Sequence, residues 1–155
     1  CKRVISNLSL RNVYIIGHSM GGMVGTILLD MIPDEITGLV NLEGNLVSQD
    51  CGESKNVAAT SFEEFRDRGF DALKRKIHKS NTPSAGTREK WVGQIPAHAF
   101  YHTSRFIVAY SNSGELLPFF LQSPHRKLYI FGDENRFKRF IYEILNEYNR
   151  YLAQT

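Results

Sequence analysis

The chain has 155 residues and a formal net charge of +3, with 42% hydrophobic and 23% charged residues. These proportions are typical of a soluble globular protein and exclude a disordered or membrane-embedded chain. The charge is too small to indicate a nucleic-acid partner, and no apolar run approaches the roughly 20 residues that span a bilayer.

The two cysteines, Cys1 and Cys51, predict neither a disulfide framework nor a zinc site, because the sequence has no CxxC or His–Cys cluster. We therefore expect no metal, and a reducing, cytoplasmic compartment is favoured. The chain opens without methionine, and Val4, Ile5 and Leu8 are spaced like one face of a helix already under way. This pattern predicts that the N-terminus has been cut.

The first 42 residues predict a strand, a helix and a second strand. Residues 13–16 form a β-branched and aromatic run closed by Gly17, which indicates a buried strand. Apolar residues then recur at helical spacing from Met23 to Met31, and Pro33 ends this helix. Residues 36–42 are a second buried strand. With no room for a hairpin, the βαβ unit predicts an α/β fold with a parallel sheet.

A helical insertion is expected between the second and third strands. Ser61 and Glu64 have capping-box spacing, and Gly69 is the expected break in the helix that follows. A loop is expected over residues 80–88. Two further helices are then expected, over residues 97–110 and 115–121.

The sequence returns to the sheet after Pro124. Residues 127–131 predict a third strand, which Gly132 ends. An apolar stripe from Phe137 to Leu152 then predicts a long surface helix. The predicted division is a core over residues 1–55, a helical insertion over 56–122, and a return to the core over 123–155.

The segment Gly17–Gly22 reads Gly-His-Ser-Met-Gly-Gly and lies between the first strand and the helix. A serine at such a corner takes strained backbone angles. Gly17 and Gly21 are expected to give the clearance that strand and helix need, and Gly22 to extend it. Ser19 is therefore the predicted nucleophile, with the Met20 N–H as an oxyanion-hole donor at the helix N-terminus. The alternative is a glycine-rich turn that only packs the helix on the sheet. The strand–helix–strand context favours the nucleophile.

With this elbow, the strand end 40–45 and the strand end 129–133, the chain resembles the C-terminal part of an α/β-hydrolase fold protein. Within that family it is similar to the capped, lipase- and esterase-like serine hydrolases. The resemblance implies that the three strands correspond to the fifth, sixth and seventh of the family's eight-stranded sheet. The 56–122 insertion then resembles the family's helical cap domain.

The resemblance also implies an acid after the sixth or the seventh strand. Glu43 stands at the first of these places. After the seventh strand the family usually has Gly-x-x-Asp, whereas this chain has Asn135 at the position of the aspartate. The expected orienting acid is therefore Glu43, with Asp133 in reserve, and the alternative for either is a solvated acid at a loop start.

The resemblance implies a catalytic histidine late in the chain, yet no histidine follows Phe137. None of the histidines that are present is a credible general base. The chain has five of them: His18, His78, His98, His102 and His125. The second oxyanion-hole donor would come from residues before Cys1, and losing one such donor costs roughly 10²–10³ in rate. This chain alone is therefore expected to be nearly inactive.

The function implied is that of a serine hydrolase acting on a small carboxylic ester or related acyl substrate, with no cofactor. The alternative is a truncated or degenerate relative that binds a ligand or a protein without turnover. Missing strands would leave a sheet edge exposed, which favours self-association.

Overall fold

Three parallel strands form the sheet, in the order β1–β2–β3. The computed structural model describes residues 1–80, 82, 85–132 and 143–147. The helices and strands in chain order are α1 (Lys2–Asn7), β1 (Val13–His18), α2 (Met20–Met31), β2 (Ile36–Leu42), α3 (Glu53–Ala58), α4 (Phe62–Glu64), a π-helical turn (Phe65–Gly69), α5 (Phe70–His78), α6 (Ala85–Gln94), α7 (Ala97–Asn112), α8 (Leu116–Gln122) and β3 (Arg126–Ile130). Short 3₁₀ turns occupy Pro33–Glu35 and Ser48–Cys51. The α/β prediction and its parallel βαβ unit are confirmed.

The residues group into two compact units, Cys1–Asp50 with Tyr110–Thr155, and Cys51–Ala109. The sheet, α2 and α8 belong to the first unit. β1 continues two residues beyond the predicted strand, because Gly17 and His18 still pair with Asn41 and Leu42. β3 begins one residue earlier than predicted, at Arg126.

The two faces of the sheet differ in how well they are covered. α2 packs on one face, where Met23 and Leu29 of the helix and Leu39 of β2 are at most 2% exposed. Side chains alternate between faces along a strand, and those on the opposite face stay open to solvent. The large exposed residues of this open face are Tyr14, Ile16, Leu128 and Ile130.

The second unit has its own aromatic core, centred on Phe65 and Tyr101. The predicted capping contact is present, since the Glu64 N–H donates to Ser61 Oγ at 3.1 Å. Gly69 does not break the helix as expected. It ends a π-helical turn that continues into α5, because a glycine there avoids the ring of Phe65.

The loop predicted over residues 80–88 is shorter than expected, because α6 already begins at Ala85. At the other end of the chain, residues 143–147 are helical. The remainder of the predicted 137–152 helix lies outside the described residues. Among the described helices, none combines the length and the apolar character needed to cross a bilayer.

Candidate active site

Ser19 occupies the corner between β1 and α2 with a backbone conformation that L-residues seldom adopt. Its φ is 52° and its ψ is −121°. A non-glycine residue in such a region costs on the order of 1–3 kcal/mol and persists only where the surrounding structure fixes it. Its side chain is exposed, and within the described part of the chain its hydroxyl has no hydrogen-bond partner. The predicted nucleophile therefore stands clear at the tip of a strained turn.

Two glycines make this corner possible. A Cβ on Gly17 would collide with the carbonyl of Gly21, and a Cβ on Gly22 would collide with the side chain of Asn41. A Cβ on Gly21 would meet open space. The clearance expected of Gly21 is therefore supplied by Gly22, because it is Gly22 that faces the sheet.

The N–H of Met20 is available as a donor beside Ser19. Met20 is the first residue of α2, so its N–H has no partner within the helix. The Ser19 carbonyl receives the N–H groups of Gly22 at 3.0 Å and Met23 at 3.4 Å, which fixes the first turn. No acceptor for the Met20 N–H occurs in the described ranges. A free donor at a helix N-terminus is suited to hold developing negative charge.

Glu43 is the first residue after β2 and also has a positive φ, of 51°. Its N–H donates to the carbonyl of Ile130 at 2.8 Å. Its Oε1 accepts the N–H of Gly132 at 2.7 Å, a charge-assisted hydrogen bond. The Ser19 N–H donates to the carbonyl of Leu42, the residue before Glu43, at 2.9 Å. The preferred acid thus lies at the end of β2, next to the end of β1 that carries Ser19.

The reserve acid Asp133, and Asn135 at the family's usual acid position, lie outside the described residues. The two histidines of the first unit are placed unfavourably for a general base. His18 ends β1 on the open face of the sheet. His125 precedes β3 at the opposite edge from Ser19, and a five-residue strand separates those edges by about 15 Å.

Both ring nitrogens of His125 have hydrogen-bonding partners away from Ser19. Its Nε2 lies 3.0 Å from the Pro33 carbonyl and its Nδ1 lies 2.9 Å from Ser123 Oγ. In the second unit, His78 Nδ1 lies 2.8 Å from Glu89 Oε1, and the ring of His102 stacks near Phe62. The structure thus brings Ser19, Met20 and Glu43 to one edge of the sheet. Of the two first-unit histidines, His125 lies at the other end of the strands, and His18, although next to Ser19, belongs to the open face.

Sequence reasoning missed a polar network behind Glu43. Asn41 is fully buried in β2, and its Oδ1 accepts the N–H of Gly44 at 2.7 Å. The Tyr129 hydroxyl donates to the Gly44 carbonyl at 3.2 Å. Asp50 Oδ2 accepts the N–H of Leu46 at 3.0 Å. An asparagine inside an otherwise apolar strand was the available signal, because buried polar side chains are normally hydrogen-bonded.

Burial raises the pKa of the Tyr129 phenol well above its usual range, and the nearby carboxylates of Asp50 and Glu43 raise it further. Tyr129 therefore keeps its proton, and its donor role, at neutral pH. Within the described ranges, no group of three or more His, Cys, Asp or Glu side chains is arranged to hold a metal ion.

Comparison with solved structures shows which proteins share the fold of this chain. A carboxylesterase of the archaeon Nitrososphaera gargenis matches with a TM-score of 0.71 and 18% identity, over 96% of this chain and 57% of that one. A hydrolase from Pseudomonas aeruginosa matches with a TM-score of 0.57 and 16% identity, over 84% of this chain and 50% of that one. An esterase from Thermogutta terrifontis matches with a TM-score of 0.56 and 14% identity, over 94% of this chain and 69% of that one.

The chain therefore spans between about half and 57% of the length of the first two structures. No curated protein sequence matches it significantly. The sequence profile of the alpha/beta hydrolase fold family, however, matches residues 2–111, well over half of the chain. With its parallel sheet and flanking helices, the chain belongs to the α/β-hydrolase fold family.

Proposed function

We propose that this chain carries the nucleophile and the acid of a serine hydrolase that acts on a small carboxylic ester or related acyl compound. Ser19 attacks the acyl carbon, the Met20 N–H stabilises the oxyanion, and Glu43 orients a histidine. The observation that carries the proposal is the strained, exposed Ser19 beside the free N–H of Met20. The esterases with a similar fold support the choice of an ester substrate.

The histidine of this mechanism is proposed to be none of the five in the chain. Without a base, the hydroxyl of a serine is a weak nucleophile. We therefore propose that this chain alone is nearly inactive, and that its second unit, Cys51–Ala109, corresponds to the family's cap. The two cysteines are free, in keeping with a proposed reducing, cytoplasmic location.

Chemical rescue by imidazole tests this assignment on the chain as it is. A fluorophosphonate probe is added with and without free imidazole, and the labelled peptide is identified by mass spectrometry. In the reaction Ser19 Oγ forms a bond to phosphorus, fluoride leaves, and imidazole takes the hydroxyl proton. We expect slow labelling at Ser19 that accelerates with imidazole concentration.

The matched controls are Ser19→Ala and the unfolded chain. Both should lose the imidazole-dependent label, while any background on other exposed serines, such as Ser6, should stay the same. If the folded chain gives no Ser19 label at any imidazole concentration, or labels Ser19 and Ser6 equally, the nucleophile assignment is wrong.

A second candidate function, non-catalytic binding with self-association, is favoured by the open face of the sheet. Tyr14 and Ile16 of β1 are 63% and 72% exposed, and Leu128 and Ile130 of β3 are 53% and 42% exposed. All-parallel sheets normally have both faces covered.

Sedimentation velocity tests this second candidate. The unmodified chain should sediment as a dimer or larger species, and Ile16→Lys should return it to a monomer. Leu8→Lys is the matched control, because Leu8 is also exposed but lies outside the sheet. A monomeric wild-type chain would remove the self-association proposal and leave the hydrolase proposal untouched.

A further inference from the structure

The backbone of Gly44, directly after Glu43, is held by hydrogen bonds to both its N–H and its carbonyl. Its N–H donates to Asn41 Oδ1 at 2.7 Å, and its carbonyl accepts the Tyr129 hydroxyl at 3.2 Å. Asn41 and Tyr129 are direct partners across β2 and β3, so both side chains lie on the face that α2 covers. Two neighbouring strands thus fix one residue of the loop that carries the proposed acid.

Asn41 also joins this loop to the helix that begins after Ser19. It is 0% exposed, and a Cβ on either Gly22 or Gly44 would collide with its Oδ1. The same hypothetical Cβ on Gly22 would lie 2.8 Å from the Cα of Gly44, so the two glycine backbones are in direct contact. Any movement of Gly44 toward α2 is therefore blocked, and movement away breaks its hydrogen bond to Asn41.

Glu43 needs such a fixed neighbour for two reasons. Its φ of 51° is unfavourable for a residue with a side chain, and such conformations persist only where the surroundings over-determine them. Its Oε1 also has to stay aimed at the Gly132 N–H, 2.7 Å away. Fixing the Gly44 peptide removes the rotation by which Glu43 would otherwise relax.

We propose that Asn41 and Tyr129 are positioning residues that clamp the Gly44 peptide and thereby hold the Glu43 carboxylate at the edge of the sheet where Ser19 lies. The inference rests on the proposed function in giving Glu43 a catalytic role. The clamp itself makes a claim about geometry that can be measured without catalysis.

The test follows the Gly132 amide proton by NMR during a pH titration. In the wild-type chain its chemical shift should titrate with the Glu43 carboxylate that it contacts, and Glu43→Gln should abolish that step. Tyr129→Phe, which removes a single oxygen atom, and Asn41→Ala should each shrink or abolish the step while the circular dichroism spectrum stays folded. Tyr14→Phe, the same change on the open face, should leave it unchanged.

The second readout is the imidazole-dependent labelling of Ser19, in which free imidazole takes the place of the histidine side chain as base. Because the clamp acts through Glu43, a bound imidazole should be less well oriented in Tyr129→Phe and in Asn41→Ala. Labelling of Ser19 in these two variants should therefore be slower by about 10- to 100-fold. Unchanged Gly132 titration in a folded Tyr129→Phe chain, with Asn41→Ala also unchanged, overturns the clamp. If the two variants lose the titration step but the wild-type chain never labels at Ser19, the clamp is supported and the proposed function is refuted.

Discussion

Ser19 and Glu43 occupy equivalent positions at the ends of adjacent strands. Each is the first residue after the last paired row, His18–Leu42–Ile130. Each has a positive φ, 52° and 51°, and each donates its N–H to the carbonyl that ends the next strand, at 2.9 Å and 2.8 Å. Neighbouring strands lie about 4.8 Å apart, so both side chains leave the sheet at one edge.

The strain at Ser19 predicts an unusual response to glycine. Ser19→Gly should unfold at higher urea concentration than Ser19→Ala, by about 1 kcal/mol in unfolding free energy, because glycine adopts a positive φ without the Cβ penalty. The matched pair is Ser6→Gly and Ser6→Ala in α1, where alanine should be the more stable by about 1 kcal/mol. The same order at both sites would contradict a strained corner at Ser19.

Alanine substitution should lower the unfolding free energy at Gly17 but not at Gly21. Gly17→Ala drives a methyl group into the Gly21 carbonyl and should destabilise the fold by about 1–3 kcal/mol. Gly21→Ala meets open space in the first turn of α2 and should be neutral or stabilising by up to about 1 kcal/mol. Chemical denaturation of the two variants measures both effects. A destabilised Gly21→Ala chain would mean that the first turn of α2 packs differently.

The raised pKa of Tyr129 predicts a loss of stability at alkaline pH. Below a pH of about 10, the ordinary value for a tyrosine, the phenol keeps its proton in both the folded and unfolded chains, and its contribution is fully present. As the pH rises further, only the unfolded chain releases this proton, so stability falls until the folded pKa is reached. Tyr129→Phe should lack this slope and cost about 1 kcal/mol at neutral pH.

Urea titrations at several alkaline pH values measure this difference. The other tyrosines contribute equally to both chains, so the difference between wild type and Tyr129→Phe isolates Tyr129. Parallel slopes for wild type and Tyr129→Phe would show that the phenol is not buried.

Asp50 should be the most sensitive position of the loop after Glu43. Its Oδ2 accepts the N–H groups of Leu46 at 3.0 Å and Val47 at 3.2 Å, and the side chain is buried. Asp50→Ala leaves these donors without that acceptor and should cost about 3 kcal/mol in unfolding free energy. Asp30→Ala, at an exposed site on α2, should change stability by less than about 0.5 kcal/mol. Equal effects of the two substitutions would contradict the loop-closing role of Asp50.

The elements that the sequence predicted well are those with a strong local pattern. β2 has the predicted bounds, Ile36–Leu42, because a mostly apolar segment between two glutamates, Glu35 and Glu43, leaves little choice of ends. α6 was missed altogether, and its first residues were expected in a loop, because Ala85, Gly86 and Thr87 have no apolar periodicity and follow a loop-like composition. The π-helical turn before α5 was missed as well, because the spacing of apolar residues does not distinguish a π-helical turn from an α-helical one.

The sequence by itself determined the backbone geometry of the corner: the order glycine, serine, glycine between an apolar strand and an apolar helix is a local pattern that predicts a tight strand-to-helix turn. Only the tertiary structure decided what stands behind Glu43. Asn41, Gly44 and Tyr129 are brought together by the pairing of β2 with β3, and Gly22 joins them through the packing of α2. Contacts between residues distant in the chain leave no period or spacing in a single sequence, so the clamp becomes visible only when the strands lie side by side.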